Sequence, residues 1–449
     1  MNPQPGFKLV ERPAGATLFR RRGQAIDAAA LLADARVMAG TLPASRYLLN
    51  LCRDRYAFTV GFIAAVRSDR VCLSSGDRSP AGLAALAAEF PDCVAVVDDD
   101  GQEVPPGMAS RRATPEGVAA AAPGDNIRVP ADHVAAIVFT SGSTGRPVGH
   151  PKRWGALVQR SIAAGQQFAL TEQAPPTIIG TVPPQHMYGF ETTVLLPLHA
   201  PASSWCGPAF FPDDVQLACA SVPPSPFVVT TPLQIRALLA VDADLPGLGA
   251  IISATAPLDT SLATAAEERW KTRVLEIFGA TEVGSIASRR TLDGEAWSLY
   301  PGVTLHAEAD RVTALLPLTA PHPLDDEVEL LGDRRFRLIG RRTDIVKLGG
   351  RRASIAGLNR ILLDIDGVED GTFILPEGET GATTERLMAV VVAPGRDADS
   401  IIGELRRRLD PLFVPRRIVR VDSMHRNDVG KLSHERVLEM LRAVSGDTA

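Results

Sequence analysis

The sequence predicts an α/β fold, with a large N-terminal domain of mainly parallel α/β layers and a small C-terminal α+β domain. The chain has 449 residues, too many for one compact core. Strand-like and helix-like segments alternate over most of its length, which is typical of crossover connections between parallel strands. Arginines crowd residues 334–352, and a smaller unit follows them. The predicted domains are residues 1–340 and 341–449.

Local patterns predict the elements in chain order. Residues 54–66 and 80–89 predict helices, and Val94–Val97 predicts a strand. Residues 104–131 are rich in Pro, Gly and Ala and predict a loop. The apolar run Val134–Phe139 predicts a buried strand.

The alternation continues beyond that strand. Pro232 begins a predicted helix through Leu239, because proline is tolerated in the first helical turn. The other predicted elements of this part are a helix at Arg153–Phe168, strands at Thr177–Val182, Phe227–Thr230 and Gly249–Ser253, a helix at Leu258–Trp270 and a strand at Arg273–Phe278.

The C-terminal part begins after a predicted hairpin. Its arms are Glu327–Leu331 and Arg335–Ile339, around Gly332-Asp333. The small unit that follows is predicted to contain helices near 354–364, 398–409 and 434–443, and strands near 371–375, 387–393 and 417–421.

Composition excludes several classes of function. Apolar residues make up 45% of the chain and charged residues 22%, which is ordinary for a soluble globular protein. A net charge of −5 argues against non-specific nucleic-acid binding. No apolar run approaches a membrane span, and the first residues lack a hydrophobic signal core. Five scattered cysteines without a C-x-x-C pair favour a reducing compartment, so we expect a cytoplasmic protein without membrane or nucleic-acid partners.

A hydroxyl- and glycine-rich segment follows the strand at Val134–Phe139. Its glycines allow unusual backbone conformations, and its N–H and hydroxyl groups can surround one anion, so it predicts a nucleotide phosphate site. It is not a Walker loop, because the fifth residue after Gly142 is Pro147. A plain Ser/Gly surface turn remains the alternative. The residues concerned are Thr140, Ser141, Gly142, Ser143, Thr144 and Gly145.

Five segments together resemble the adenylate-forming superfamily, which includes acyl-CoA synthetases, nonribosomal-peptide adenylation domains and luciferases. The resemblance covers roughly residues 130–445 in the order and spacing of that family, and residues before 130 match only loosely. The segments are Phe139–Pro147, Pro183–Gly189, Phe278–Glu282, the hinge block from Gly340-Arg341 through Lys347 and Arg352, and Arg426-Asn427 through Gly430-Lys431.

The resemblance implies a reaction in which a carboxylate attacks the α-phosphate of ATP. Two anions then meet, so positive charge must stabilise the transition state. By resemblance, Lys431 is the catalytic lysine that bridges both, carried on a mobile C-terminal domain. Glu282 would coordinate Mg²⁺, an ion that takes carboxylate and phosphate oxygens together. Thr281 would hydrogen-bond the α-phosphate. A solvated Gly-Lys turn and a helix-capping Thr-Glu pair are the alternatives.

The resemblance also implies nucleotide and acid contacts. Asp326 would bind the ribose hydroxyls, or the adjacent Asp325 would do so if the alignment is shifted by one residue. Arg341 would contact ribose or phosphate. A strand-edge charge and a surface arginine are the alternatives. His186 would line the acid pocket, unless it is structural. Further nucleotide residues are Ala254, Thr255, Phe278 and Gly279, and further substrate residues are Tyr188, Gly189, Phe190 and Gly284.

Three positions depart from the family pattern. Val148 stands where the family has lysine, and Lys152 either substitutes for it or the γ-phosphate contact is weaker. Thr343 stands at the usual acidic hinge position, beside Asp344. His425 stands where a proline precedes the C-terminal motif.

The function implied by the resemblance is an acid–thiol ligase that uses ATP and Mg²⁺. The thiol would be coenzyme A or the phosphopantetheine of a carrier protein acting in trans, and the arginines of 334–352 could dock such a carrier. The short length and the residues around Val148 resemble the aryl- or acyl-activating ligases of aryl-polyene and xanthomonadin-type pathways. Two alternatives stay open: an enzyme that stops at the adenylate, and a non-catalytic nucleotide-binding protein.

Overall fold

The computed structural model describes residues 6–99, 102–113, 125–141, 147–308, 311–332, 334–341, 345–348, 351–375, 387–424, 432 and 436–441. The chain packs into two compact units. The first contains Met1–Ala254, Thr260–Leu305 and Ala314–His322, and the second contains Thr255–Asp259, His306–Thr313 and Pro323–Ala449. The domain boundary expected at residue 340 stays a prediction.

The strands begin near the N-terminus and continue into the second unit. The first group is β1 (Gly6–Lys8), β2 (Thr17–Arg21), β3 (Gln24–Asp27), β4 (Tyr47–Asn50), β5 (Val71–Ser74), β6 (Cys93–Val97), β7 (Ser110–Arg112), β8 (Arg128–Pro130), β9 (Val134–Ser141), β10 (Pro147–Arg153), β11 (Thr177–Gly180), β12 (Ser203–Trp205), β13 (Phe227–Thr230), β14 (Ala250–Ser253), β15 (Val274–Ala280), β16 (Gly284–Arg290) and β17 (Ala296–Leu299). The second group is β18 (Thr304–Glu308), β19 (Arg311–Leu315), β20 (His322–Pro323), β21 (Asp326–Gly332), β22 (Arg335–Arg341), β23 (Ile345–Leu348), β24 (Arg351–Ser354), β25 (Asp370–Ile374), β26 (Met388–Val392) and β27 (Arg417–Arg420).

The helices alternate with these strands. They are α1 (Ala28–Thr41), α2 (Arg55–Arg67), α3 (Pro80–Glu89), α4 (Trp154–Gln167), α5 (Met187–Gly189), α6 (Leu196–His199), α7 (Pro212–Ala220), α8 (Pro232–Ala240), α9 (Thr260–Trp270), α10 (Ile355–Leu363) and α11 (Ala398–Arg408). A π-helical segment, Phe190–Leu195, joins α5 to α6. In the described ranges, no helix has both the length and the apolar character that a bilayer span requires.

Two large sheets lie in the first unit. One runs in the order β10-β9-β5-β4-β6-β7, and the other contains β17-β16-β15-β14-β13-β11-β12-β2-β3. The central pairs of both sheets are parallel, whereas β9–β10 and β15–β16 are antiparallel hairpins. The α/β class with mainly parallel sheets is therefore confirmed.

The core of the first unit surrounds α2. Every residue from Arg55 to Val66 is buried, as expected for a helix that is apolar on nearly all faces. The Asp54 side chain accepts a hydrogen bond from the Ala57 N–H and caps the helix. The rings of Phe62 and Phe190 meet edge to face at 5.0 Å, which attaches the π-helical segment to this core.

The second unit has the α+β character predicted for the C-terminal part. Strands β21 and β22 form an antiparallel hairpin, and β25-β26-β27 form a small sheet. Leu362 of α10 and Leu405 of α11 are fully buried in the core of this unit. The mobility implied for this part stays a prediction.

One sequence prediction was wrong, and one strand was not predicted. The stretch 104–131, expected to be a loop, contains the short strands β7 and β8, which pair with β6 and β1. Residues 147–153 form β10 although the strand contains Pro147 and Pro151. Proline is tolerated there because β10 lies at the edge of its sheet.

Candidate active site

The hydroxyl- and glycine-rich segment connects the two strands of the β9–β10 hairpin. Thr140 pairs with Val148 and Ser141 with Pro147, so the last described positions on both arms face each other. Gly142, Ser143, Thr144 and Gly145 lie outside the described residues, and so does the side chain of Ser141. Their phosphate-binding role stays a prediction.

A second hairpin, β15–β16, carries the Thr281-Glu282 pair in its turn. Gly279 lies opposite Ser285, and Ala280 opposite Gly284. A Cβ on Gly279 would lie 2.3 Å from the carbonyl oxygen of Gly284, so a side chain cannot fit between the arms. Gly284 has a φ of +76°, in the left-handed region that favours glycine. The turn geometry thus explains both glycines.

The two hairpins meet at the Thr281-Glu282 turn. His150 Nε2 lies 3.0 Å from Thr140 Oγ1 and 3.7 Å from a carboxylate oxygen of Glu282. Lys152 Nζ donates hydrogen bonds to the carbonyl oxygens of Thr281 and Glu282, the latter at 2.8 Å. The structure therefore brings Thr140, Thr281 and Glu282 together, as predicted residues of one site.

His150 and Lys152 define the electrostatics of the turn. Burial lowers the pKa of His150, with nearby Lys152 adding to the effect and Glu282 opposing it, so the ring is neutral at neutral pH. Burial also lowers the pKa of the Lys152 ammonium to about 8, against the attraction of Glu191 and Glu282. The side chain of Glu282 is 37% exposed, so a ligand can approach it.

A buried carboxylate holds the far end of the same turn. The Glu191 oxygens accept hydrogen bonds from the Ser285 N–H at 3.0 and 3.1 Å and from the Ser285 hydroxyl at 2.5 Å. Burial raises the pKa of Glu191, although the bonds from Ser285 and the charges of Arg160 and Lys152 oppose the rise. Sequence reasoning missed Glu191 and His150, because neither belongs to a recognised motif.

The segment Pro183–Gly189 leads into the helical stretch 187–199. Gly189 is required sterically, because a Cβ there would lie 2.1 Å from the Pro183 carbonyl oxygen. The Tyr188 hydroxyl lies within hydrogen-bond distance of the Ile252 carbonyl (2.8 Å) and the Thr230 carbonyl (3.1 Å). It therefore joins this segment to β13 and β14.

Three other predicted substrate and nucleotide residues pack against neighbouring parts of the first unit. Phe190 is buried against Phe58 and Phe62, and His186 lies beside Gly76. Phe278 packs on Trp297, with ring centroids 5.6 Å apart. Their contacts with substrates stay predictions.

The residues predicted for ribose binding belong to the second unit. Asp326 begins β21 and pairs directly with Arg341 at the end of β22, although the Arg341 side chain is not described. Asp326 is partly buried, whereas Asp325 is exposed and precedes the strand. This difference favours Asp326 over its neighbour as the positioned carboxylate.

The loop after β14 has an unusual backbone conformation at one of the predicted nucleotide residues. Ala254, at the end of the first unit's segment, is buried. Thr255 has a φ of +79°, a strained conformation for a β-branched residue. Lys431 lies outside the described residues, so its catalytic role stays a prediction.

Comparison with known proteins identifies a family and a fold. The model of the AMP-binding enzyme family matches residues 27–331. The chain is 30% identical over 282 residues to a 4-coumarate–CoA ligase of Halorhodospira halophila, covering 60% of this chain and 66% of the relative. It is 30% identical over 234 residues to a 4-coumarate–CoA ligase of Rhodobacter capsulatus, covering 52% of this chain and 59% of the relative. The matched part of the chain thus spans 59–66% of the length of these two relatives.

Solved structures share the fold at lower identity. ATP-bound MatB from Rhodopseudomonas palustris has a TM-score of 0.79 at 20% identity, covering 96% of this chain and 97% of that one. The anthranilate CoA ligase AuaEII in complex with anthranoyl-AMP also has a TM-score of 0.79, at 15% identity, covering 97% and 95% of the two chains.

Proposed function

The chain belongs to the AMP-binding enzyme family, and from this premise we propose that it is an ATP-dependent acid–thiol ligase. In the first half-reaction, a carboxylate oxygen attacks the α-phosphorus of ATP, giving acyl-AMP and releasing pyrophosphate. In the second, a thiolate attacks the acyl carbon, a thioester forms, and AMP leaves with the oxygen that had bridged carbon and phosphorus.

One observation carries the proposal. The β9–β10 hairpin, which bears the hydroxyl- and glycine-rich connection, meets the Thr281-Glu282 turn through His150 and Lys152. Thr140, one of the residues predicted to bind phosphate, thereby lies close to the Glu282 carboxylate predicted to bind a cation. Such a grouping suits MgATP, because Mg²⁺ is commonly held by one or two carboxylates together with substrate phosphates.

The described residues fit such a magnesium site. Within the described ranges, no group of three or more His, Cys, Asp or Glu side chains could hold a metal by itself. Glu282 offers a partly exposed carboxylate beside a neutral imidazole, which suits an ion whose other ligands are phosphate oxygens and water. Bound there, Mg²⁺ would reduce the negative charge on the phosphates.

The chain's own groups would then lower the barrier to attack. The Thr281 hydroxyl would donate to an α-phosphate oxygen, and the Lys431 ammonium would bridge that phosphate and the incoming carboxylate. Asp326 would accept hydrogen bonds from the ribose hydroxyls. His186, on the segment before Gly189, would lie in the wall of the acid pocket.

The acid is an aryl or acyl carboxylate. The names of the relatives, 4-coumarate–CoA ligase and anthranilate CoA ligase, support an aryl acid, and so does the resemblance to aryl-polyene and xanthomonadin-type ligases. Coenzyme A is the favoured thiol, because the same relatives are CoA ligases. A carrier protein in trans remains part of the proposal through the arginines of 334–352, and the cytoplasmic location stays a prediction.

The first experiment measures acid-dependent exchange of labelled pyrophosphate into ATP. The panel contains 4-coumarate, 4-hydroxybenzoate, anthranilate, benzoate and malonate, with acetate as a small control. We expect exchange with an aryl acid and a rate that is roughly 10²–10³ lower in Glu282→Gln. ATP binding without exchange for any acid would instead support a non-catalytic nucleotide-binding protein.

A second experiment identifies the acceptor. The exchanging acid is incubated with ATP and either free coenzyme A or a purified phosphopantetheinylated carrier protein, and products are resolved by mass spectrometry. We expect acyl-CoA. Release of acyl-AMP without thioester from either acceptor would select the enzyme that stops at the adenylate.

A further inference from the structure

We propose that Lys152 is a positioning residue that fixes the Thr281-Glu282 turn to the β9–β10 hairpin. The inference rests on the proposed function, because it assigns Lys152 to the adenylation half-reaction. It also gives a role to a lysine that belongs to none of the five recognised motifs.

The alternation of side chains along β10 places Lys152 on the face of the strand that contacts the turn. His150 and Lys152 are two residues apart on β10, so their side chains leave the same face of the strand. Both reach the same turn: Lys152 bonds to its main-chain carbonyls, and His150 lies beside the Glu282 carboxylate. Lys152 therefore fixes the backbone of the turn through its carbonyl groups, while the side chain of Glu282 stays open to solvent.

The burial of Lys152 argues that its donors are needed there. Only 6% of the residue is exposed, and removing an ammonium from water is unfavourable. An aliphatic side chain would fill this position without that penalty, but it would leave the carbonyl groups of Thr281 and Glu282 without this donor. The need to hold the backbone of the turn in place thus explains why this buried position is a lysine.

The other end of the turn is held by the opposite charge. Glu191 accepts from the Ser285 N–H and hydroxyl, and it attracts Lys152 across the buried interior. The Lys152 ammonium therefore binds the carbonyl groups of the turn, and the Glu191 carboxylate binds the N–H of Ser285, which follows the turn.

The test compares Lys152→Met with Lys152→Arg and with Arg12→Met. Methionine keeps the apolar stem but removes charge and donors, whereas arginine restores both. Arg12 is a matched control, because it too is buried and donates to two carbonyl oxygens, of Ala200 and Ala202, away from the turn. Its loss should lower stability without disturbing the site.

The readout is the Mg²⁺ dependence of acid-dependent pyrophosphate exchange. In Lys152→Met, we expect the Mg²⁺ concentration at half-maximal rate to rise and kcat to fall, each by about 10–100-fold, as for other residues that orient a metal ligand. The KM for the acid should change less than about twofold, and Lys152→Arg should recover most of the loss. Wild-type Mg²⁺ dependence in Lys152→Met, or the same change in Arg12→Met, would overturn the proposal.

Hydrogen–deuterium exchange separates this proposal from the proposed function. We expect faster amide exchange in residues 281–285 of Lys152→Met and not of Arg12→Met, whether or not any acid is activated. Unchanged exchange in that segment would overturn the positioning role, whereas absence of pyrophosphate exchange in the wild type would overturn only the function. If Lys152→Met does not fold, Lys152→Gln, which keeps a neutral donor, is measured with the same expected direction.

Discussion

Gly189→Ala should destabilise the protein although it places alanine in a helix. The backbone of Gly189 is already helical, with φ −65° and ψ −39°, so the substitution removes no special conformation. At such a position alanine usually stabilises by about 1 kcal/mol. Here the new Cβ would lie 2.1 Å from the Pro183 carbonyl oxygen and 2.8 Å from its carbon.

The size of the effect follows from that contact. Since Cβ atoms essentially never lie within 3.0 Å of another heavy atom, backbone must move by about 0.9 Å to accept the methyl group. Overpacking of this kind costs about 1–3 kcal/mol. The shift displaces the segment that carries His186, so the KM for the acid should rise more than the KM for ATP.

The assay compares urea and thermal unfolding of Gly189→Ala with Gly40→Ala. Gly40 lies in α1, and a Cβ there meets nothing within 4 Å, so its substitution should leave stability unchanged or raise it by up to about 1 kcal/mol. A Gly189→Ala midpoint at or above that of the wild type would refute the steric reasoning.

Three further predictions concern charged groups. The pKa of Lys152 is lowered from 10.5 to about 8 in the folded state, so between these pH values the unfolded chain binds more protons than the folded chain. The free energy of unfolding of the wild type, measured by urea titration relative to Lys152→Met, should therefore increase from pH 8 to 10.5 by up to about 3 kcal/mol. A decrease over this pH range would contradict the prediction. Glu191→Gln should destabilise by about 1.5–3 kcal/mol, because the Ser285 N–H and hydroxyl lose a charged acceptor. A double-mutant cycle with Lys152→Met should give losses that are not additive, and additive losses would disprove the attraction between Glu191 and Lys152. Lys431→Ala should lower pyrophosphate exchange by about 10²–10³ while leaving thiolysis of synthetic acyl-AMP nearly intact, and equal loss in both assays would remove the assigned role.

Much of the fold could be predicted because parallel strands and crossover helices leave a regular pattern. Buried strands such as Phe227–Thr230 and Ala250–Ser253 are short apolar runs with helices between them. Strand β10 could not be predicted, since its prolines argue against a strand unless its place at the sheet edge is known. The helical stretch 187–199 was missed because Pro197 interrupts the pattern, although this proline falls in the first turn of α6.

The candidate site could be predicted only where the sequence contains a recognised local motif. Thr281 and Glu282 stand in such a motif, and Gly189 and Gly284 mark places where a side chain does not fit. Glu191 carries no local signal, because its partner Ser285 is 94 residues away in the chain. A signal for Lys152 did exist: it follows His150 at a two-residue spacing, as on one face of a strand.

The most direct test of the account follows oxygen from the acid. The chain is supplied with ATP, coenzyme A and its preferred acid labelled with ¹⁸O at both carboxylate positions, and the nucleotide product is weighed by mass spectrometry. Attack on the α-phosphorus predicts AMP that carries one ¹⁸O atom, with the other kept in the thioester. Unlabelled AMP, or label in inorganic phosphate, would contradict acyl-adenylate formation.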